Sequence, residues 1–495
     1  MSFFYRPIDK EIYNIALPAF AGFIVFILFD ITDVFWIGRV GTDAVAGCSS
    51  GGFLAWLIFA AMNVTTVGAN SLIAQSFGAK KLKLARRIAH EASWLSLAAA
   101  AIIGLLMFFS SGFIFRFMGL EHNTMANASV YINTFLLFYP FYYLSQVFTN
   151  VFNAYGDTKT NVAILAAAVV VNMVLDPVLI LGYGTGYAMG VKGAVIASGI
   201  AEICGLVAQF VYLRRRGYIS PLKVLIRIPR LANARKILSI GFPAGCTAFV
   251  WSFVYPLMTP IISRFGMEPI AAIRVCFTCE DFPYDIGMGF SIAMAALVGQ
   301  AYGRGDYAHV RELVRRGCQI LTLWLVPFVS CFIFIPEILA GLLNPDPGVV
   351  RHAADYLFIV GLGEIFLGWE LLFQGSLNGL GLSKSYMYIS LPLTLGRLPI
   401  AYFLAITMGF GTKGIWATVS ATTALKGILL CLTFFRGNAV ERRLSGFKPA
   451  EIRSLTSTGI SDAEPEKDDV QEEAIARNVI TWQMEHKGKN KGNKL

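Results

Sequence analysis

The chain is 495 residues long, and 56% of its residues are hydrophobic while only 15% are charged. Its mean hydropathy of +0.61 is too high for an ordinary soluble globule and indicates a polytopic membrane protein. The formal net charge of +10 does not indicate a nucleic-acid partner, because the basic residues lie in short segments between apolar stretches.

Hydropathy predicts an all-α fold of twelve transmembrane helices, because the apolar stretches repeatedly reach the roughly 20 residues that cross a bilayer as a helix. The predicted spans are 12–37, 45–70, 92–118, 128–154, 160–182, 190–213, 238–263, 276–301, 317–343, 353–379, 386–408 and 413–435. They divide the chain into a first six-helix bundle at 1–213, a basic linker at 214–237, a second bundle at 238–436 and a polar tail at 437–495. The tail carries an acidic run and a Lys-rich end, so it is predicted to be disordered or loosely helical.

Three short motifs recur at a constant spacing of 225 residues, which indicates an internal duplication. The pairs are Ile15-x-x-Pro18 with Ile240-x-x-Pro243, Gln75-x-x-Gly78 with Gln300-x-x-Gly303, and Asn153-x-x-Gly156 with Asn378-x-x-Gly381. Each repeat has an even number of spans, so the halves enter the membrane in the same orientation. Their pseudo-two-fold axis is therefore predicted to run along the membrane normal, with the substrate bound between or within the halves.

Basic residues are distributed unequally between the two sets of connecting segments. With the N-terminus inside, the inner segments before the tail carry 21 Lys or Arg and the outer segments carry seven. The positive-inside rule therefore places both termini in the cytoplasm of a protein of the inner (plasma) membrane. The linker, with eight basic residues, is predicted to lie on the lipid headgroups of the bilayer.

The fifth predicted span contains an amide, a carboxylate and a proline at adjacent turns. A carboxylate in the bilayer costs about 2.5–3.5 kcal/mol on insertion scales, so Asp176 is expected to face a partner, a cavity or an ion. Asn172 lies four residues earlier on the same helix face, and Pro177 leaves the carbonyl of Met173 without its helical donor. These oxygens suit a proton or a hard cation such as Na⁺. The alternative is a kinked helix with a buried, hydrogen-bonded aspartate.

The first predicted span carries two aspartates, Asp30 and Asp33, on one helix face beyond Pro18. Carboxylates this close would repel if both were ionised, so either one is protonated or both share a cation. The alternative is that they only meet the outer interface near Arg39. The positions equivalent to Asp33, Asn172 and Asp176 in the second repeat carry no acid, so this cation site is predicted in the first half alone.

The second half has its own charges inside predicted spans, namely Glu280, Asp281 and Asp285 in the eighth span, Glu364 and Glu370 in the tenth, and Arg397 in the eleventh. A buried arginine is rarely unpaired, so Arg397 is predicted to have a carboxylate partner among the three glutamates. This set is either a structural ion-pair network or a secondary substrate or proton site.

Cysteine and histidine spacing indicates neither a metal site nor an active site. The eight cysteines are scattered, and Cys276-x-x-Cys279 has no second pair to complete a zinc site. The five histidines fall in or near predicted loops. We therefore expect no metal, no cofactor and no enzymatic activity.

The chain resembles the multidrug and toxic compound extrusion family over about residues 10–435. The resemblance rests on Pro18, on Asp33-x-x-Trp36, on Gln75-Ser-Phe-Gly78, on the Gly156-Asp-Thr-Lys loop and on Asn172-x-x-x-Asp176-Pro177. It is strongest to the branch that resembles DNA-damage-inducible proteins. The resemblance implies two six-helix bundles around a V-shaped cleft and a cation site in the first bundle. By position that site would comprise Asp33, Asn172, Asp176 and Ser198, where Ser198 replaces a threonine of relatives.

The resemblance implies a monomeric antiporter that exports small organic cations or amphipathic compounds in exchange for H⁺ or Na⁺, with bending of the first span near Pro18. Sequence does not distinguish the two ions, because a carboxylate with oxygen neighbours serves both. A lipid-precursor flippase or a metabolite exporter of the same superfamily is the alternative. A channel is disfavoured, because a two-lobed repeat with buried acids suits alternating access.

Overall fold

The computed structural model of the chain describes residues 6–184, 186–220 and 232–445, and this part contains helices and no β-strand. Its first half holds six helices: α1 Pro7–Ile37, α2 Thr42–Gly78, α3 Leu82–Phe117, α4 His122–Tyr155, α5 Thr158–Ile180 and α6 Val191–Arg215. Its second half begins with α7 Ala234–Ile262, α8 Glu268–Arg304, α9 Tyr307–Phe334 and α10 Pro336–Leu343. It continues with α11 Pro347–Gly361, α12 Glu364–Gly379, α13 Ser383–Tyr402, α14 Gly411–Arg436 and the short α15 Asn438–Ser445.

The helices of the second half repeat those of the first at the spacing of the sequence motifs. Two spans that are continuous in the first half are interrupted in the second, so α9 with α10 corresponds to α3, and α11 with α12 corresponds to α4. The first interruption falls at Pro336, which has no N–H for the helical ladder. The second lies between Gly361 and Glu364 and bends the span by 54°.

The prediction of twelve transmembrane helices is confirmed. Ten helices are long and apolar enough to cross a membrane, and the bent pair of α11 and α12 makes an eleventh span. Helix α4, 34 residues long, is less apolar than these and is counted as the twelfth because it is the counterpart of that bent pair. The molecule is thus an all-α, multi-pass membrane protein with six spans in each half.

Paired glycines join the two halves on the side of the membrane where α1 begins, called here the N-terminal side. A Cβ atom at Gly78 would overlap the backbone carbonyl of Gln300, and one at Gly303 would overlap the carbonyl of Gln75. Helices α2 and α8 therefore cross with their backbones in direct contact, which small residues allow between membrane helices. Each half presents the same motif to the other, as a pseudo-two-fold axis requires.

The glutamines of the same motifs cap helix ends in the opposite half. The Gln75 side-chain nitrogen donates to the Gly379 carbonyl at 2.8 Å, and the Gln300 nitrogen donates to the Ala154 carbonyl at 2.8 Å. These carbonyls lie at the ends of α12 and α4, where the helix supplies no donor. The Gln-x-x-Gly and Asn-x-x-Gly motifs therefore meet at one contact on the N-terminal side. The Ile-x-x-Pro motif lies beside them, because Ile15 and Ile240 are the neighbours of Gly156 and Gly381.

The first helix of each half starts inside the core of the other half. Ile8, Ile12 and Ile15 of α1 belong to the hydrophobic core built by α8, α9 and α12. In the same way, Ile237 of α7 belongs to the core of the first half. The start of α1 thus packs in the second half and the start of α7 packs in the first half. The two halves that the sequence separates at 214–237 therefore share these helix ends.

The predicted linker and tail are described only in part. Residues 221–231 of the linker and 446–495 of the tail lie outside the described residues. The beginning of the tail forms the short helix α15.

We predict that Gly78→Val weakens the contact between the halves. The added side chain has no space against the Gln300 backbone, and overpacking of this kind costs about 1–3 kcal/mol. The purified protein in detergent should therefore unfold at a temperature several degrees lower. Gly112→Val is the matched control, because a Cβ atom there meets open space on α3. Equal unfolding temperatures for the two variants would contradict the interlocking of the halves.

Candidate functional site

Helices α1, α5 and α6 approach one another toward the side opposite the N-terminal side. Helices α5 and α6 pack closely at Gly193, where an added Cβ atom would overlap the backbone carbonyl of Leu179. The chain turns into α6 at Gly190, whose φ of +55° is in the region that favours glycine. The facing surfaces of these three helices carry polar side chains.

The structure brings the four residues of the predicted cation site together. The Asn172 side-chain nitrogen donates to Asp176 Oδ1 at 3.0 Å and to Ser198 Oγ at 3.3 Å. The Ser198 hydroxyl in turn lies 3.4 Å from Asp33 Oδ2. Asn172 and Asp176 are 0% exposed, so this part of the cluster is fully buried in the protein although it includes an acid.

This cluster has too few hydrogen-bond donors for its oxygens. The Ser198 hydroxyl has one hydrogen and lies closer to the Ala194 carbonyl, at 3.0 Å, than to Asp33. Three buried oxygens have no hydrogen-bond partner, namely Asp33 Oδ1, Asn172 Oδ1 and Asp176 Oδ2. Buried polar atoms are normally paired, so this deficit points to a ligand that binds oxygen.

The two acids also lie next to each other. Asp33 lies 3.4 Å from the Ser198 hydroxyl, which accepts from Asn172, and Asn172 donates to Asp176, so both carboxyl groups belong to one cluster. Two carboxylates in one buried cluster repel each other if both are ionised, unless a positive charge lies between them. A shared proton or a small hard cation would remove the repulsion and would occupy the unpaired oxygens.

The remaining residues predicted in the first half lie outside the cluster. Asp30 is exposed on α1, one helical turn before Asp33. Pro18 and Pro177 lie inside α1 and α5, which are helical on both sides of each proline.

The prediction of a carboxylate partner for Arg397 was wrong. Its guanidinium donates to the hydroxyls of Thr422 at 2.8 Å and Thr423 at 2.6 Å, both on α14. Among the described residues, no carboxylate lies within ion-pair distance of Arg397. Glu370, one of the three candidates, pairs with Lys426 instead, and the hydroxyls of α14 take up the Arg397 donors.

Glu370 and Lys426 form a buried ion pair that sequence reasoning missed. Lys426 Nζ lies 2.8 Å from Oε1 and 2.7 Å from Oε2 of Glu370. Tyr386 and Ser390 also donate to Glu370 Oε1, at 3.3 and 3.2 Å. Lys426 lies in the middle of the predicted span 413–435, and its charge at that depth was the available signal. Sequence reasoning also missed Glu202, an acid inside the predicted span 190–213 that follows Ser198 by four residues on α6.

The other two glutamates predicted inside spans, Glu280 and Glu364, are incompletely paired. Glu280 accepts a hydrogen bond from the Tyr356 hydroxyl at 3.1 Å. Its Oε1 atom and Oε1 of Glu364 are buried without a partner. The second half therefore also holds unpaired carboxylate oxygens, but without the amide and hydroxyl bridge of the first half.

Twelve spans in two equally oriented halves, each containing buried acids, define a polytopic membrane transporter. A family model described as MatE matches residues 18–178 and 243–403. The two matched segments are separated by the same 225 residues as the sequence motifs. The chain belongs to this family, that of the multidrug and toxic compound extrusion transporters, and it is not an enzyme.

Individual relatives agree with this assignment. The chain is 27% identical to a probable multidrug resistance protein NorM of Thermotoga maritima, over 88% of this chain and 94% of that protein. It is 22% identical to the multidrug export protein MepA of Staphylococcus aureus, over 86% of this chain and 93% of that protein. The crystal structure of the Vibrio cholerae MATE transporter VcmN in its bent form has the same fold. It matches with a TM-score of 0.80 at 20% identity, over 89% of this chain and 97% of that one.

We predict that Lys426→Met destabilises the protein far more than the double variant Lys426→Met/Glu370→Met. Removing one partner leaves a buried charge unpaired and costs about 3–5 kcal/mol, whereas replacing both with apolar residues is close to neutral. Thermal unfolding of the purified variants measures the difference. A double variant no more stable than Lys426→Met alone would show that the ion pair is not the reason for the loss.

Proposed function

We propose that the chain is a multidrug exporter that exchanges cytoplasmic organic cations or amphipathic compounds for H⁺ or Na⁺. The observation that carries this proposal is the group of three unpaired oxygens of Asp33, Asn172 and Asp176. A buried site that lacks donors binds a cation or a proton favourably and releases it when the helices separate. The names of the NorM and MepA relatives support a drug-like cargo.

The N-terminal side is proposed to face the cytoplasm. The excess of basic residues in the segments on that side supports this orientation. The glycine contact between α2 and α8 then closes the cytoplasmic side, and the cation cluster lies toward the outside.

Helix α1 is proposed to couple the cation to the cargo. It carries Asp33 at its outer end, and its inner end is packed in the core of the second half. Pro18 lies between the two ends and removes one hydrogen bond of the helix, so bending there is easier than elsewhere. Cation binding draws Asp33 toward Asp176, bends α1 and reduces the space available to the cargo. Coupling follows because each ligand favours a different conformation.

We predict that Asp176→Asn abolishes exchange while the protein remains folded. The amide cannot release a proton or neutralise a cation, so the cluster can no longer bind and release the coupling ion. Efflux of ethidium from vesicles, driven separately by a pH gradient and by a Na⁺ gradient, measures the effect and identifies the ion.

Asp30→Asn is the control for this experiment, because Asp30 is an exposed acid one turn from the cluster on α1. It should retain ethidium efflux close to that of the parent protein. Full activity of Asp176→Asn would contradict the proposed site. If neither gradient drives dye in the parent protein, drug export loses support and a lipid precursor or a metabolite becomes the favoured cargo.

A further inference from the structure

A second polar feature lies away from the cation cluster, on the N-terminal side. A cleft of about 770 Å³ opens there beside the start of α1 and the first turns of α9. Most of its polar lining is basic. The side chains that matter for its chemistry are Arg6, Arg311, Arg315, Arg316, Gln319 and Phe435.

Two of the four arginines are already paired. Arg316 is buried and makes a two-pronged contact with Asp9, at 2.7 Å from Nε and 3.0 Å from Nη2. Arg311 lies 3.7 Å from Glu441, and both of these side chains are exposed. The pairing therefore neutralises the inner part of the cleft and one side of its mouth.

The other two arginines give the cleft an excess of positive charge. Arg6 and Arg315 are exposed, and no carboxylate of the described residues lies within ion-pair distance of either. Among the described residues that line the cleft, Glu312 is the one acid. Guanidinium groups suit a phosphate, because each presents donors in a planar fork.

An apolar surface continues from the cleft along α9 in the direction of the bilayer. Arg315, Gln319 and Leu323 are spaced by four residues, so they form one stripe on the helix. Leu323 and the nearby Val326 are 48% and 44% exposed in a segment that spans the membrane. A cationic cleft at the end of a lipid-facing stripe matches a molecule with a phosphate head and hydrocarbon chains.

We propose that this cleft binds the headgroup of an anionic phospholipid, with its acyl chains along the exposed stripe of α9. Inorganic phosphate shares the headgroup chemistry but gains nothing from the apolar stripe. Basic pockets between membrane helices on the cytoplasmic side are suited to such headgroups. The proposal does not depend on which cation the transporter exchanges.

A lipid at this site would act on the contact between the halves. The Asp9–Arg316 pair in the wall of the cleft joins the start of α1 to α9, and α1 carries Asp33 at its other end. A phosphate bound by Arg6 and Arg315 would hold these two helices together. The lipid composition of the membrane would then influence the bending of α1 without contact with the cation cluster.

Lipid binding to the purified full-length protein tests the proposal. Native mass spectrometry and thermal unfolding in detergent should show phosphatidylglycerol binding more tightly than phosphatidylcholine and raising the unfolding temperature by several degrees. Inorganic phosphate at the same concentration should not. The variant Arg6→Gln/Arg315→Gln should bind phosphatidylglycerol about 25-fold more weakly, because each arginine near the surface contributes about fivefold.

Lys159→Gln is the control, because Lys159 is an exposed basic residue at the start of α5 in the first half. It should bind phosphatidylglycerol as the parent protein does. Equal binding of the two phospholipids, or an equal loss in Lys159→Gln and in the double arginine variant, would overturn the proposed site. Stabilisation by inorganic phosphate that equals that by phosphatidylglycerol would overturn its assignment to a lipid.

Discussion

Asp33 and Asp176 meet inside an apolar bundle where the available donors do not satisfy their oxygens, and this constraint organises the rest of the structure. Asn172 uses both of its amide hydrogens on Asp176 and Ser198, and the Ser198 hydroxyl is shared with a backbone carbonyl of its own helix. Such an arrangement is costly unless a proton or cation completes it. In the proposed mechanism this cost makes the cluster responsive, because a proton or cation bound there would change how strongly α1 is held against α5 and α6.

Helix α1 connects this responsive cluster to the opposite half of the molecule. Its first turns are fixed by the Asp9–Arg316 pair and by isoleucines in the core of the second half. A change at Asp33 is therefore carried by a helix that belongs to both halves, with Pro18 between its two attachments. On the same side, α2 and α8 cross at glycines too close for any larger residue, so the halves meet there in direct backbone contact.

Much of this arrangement could be predicted from the sequence, because it depends on local spacing. Four-residue spacing placed Asn172 and Asp176 on one helix face, and the constant offset between motifs identified the duplication. The inclusion of Ser198 depended on family resemblance, since a serine in a membrane helix has no distinctive spacing. The partner of Arg397 could not be predicted in this way, because it depends on how α13 and α14 pack. Glu370, one of the predicted partners, pairs with Lys426 instead. The exchange of the first helices between the two cores is likewise a property of tertiary packing that no periodicity reveals.

Linkage between cargo and cation at the Asp33–Asp176 cluster is the central claim, and it is tested most directly by counting ions released when a cargo binds. The purified protein in weakly buffered detergent solution would be titrated with ethidium while released protons are followed with an indicator dye and released ²²Na⁺ by filtration. Reciprocal linkage requires that dye binding releases one of these ions from the parent protein and that Asp176→Asn binds dye without releasing either. Dye binding that releases no ion from the parent protein, with an affinity independent of pH and Na⁺, would contradict the account.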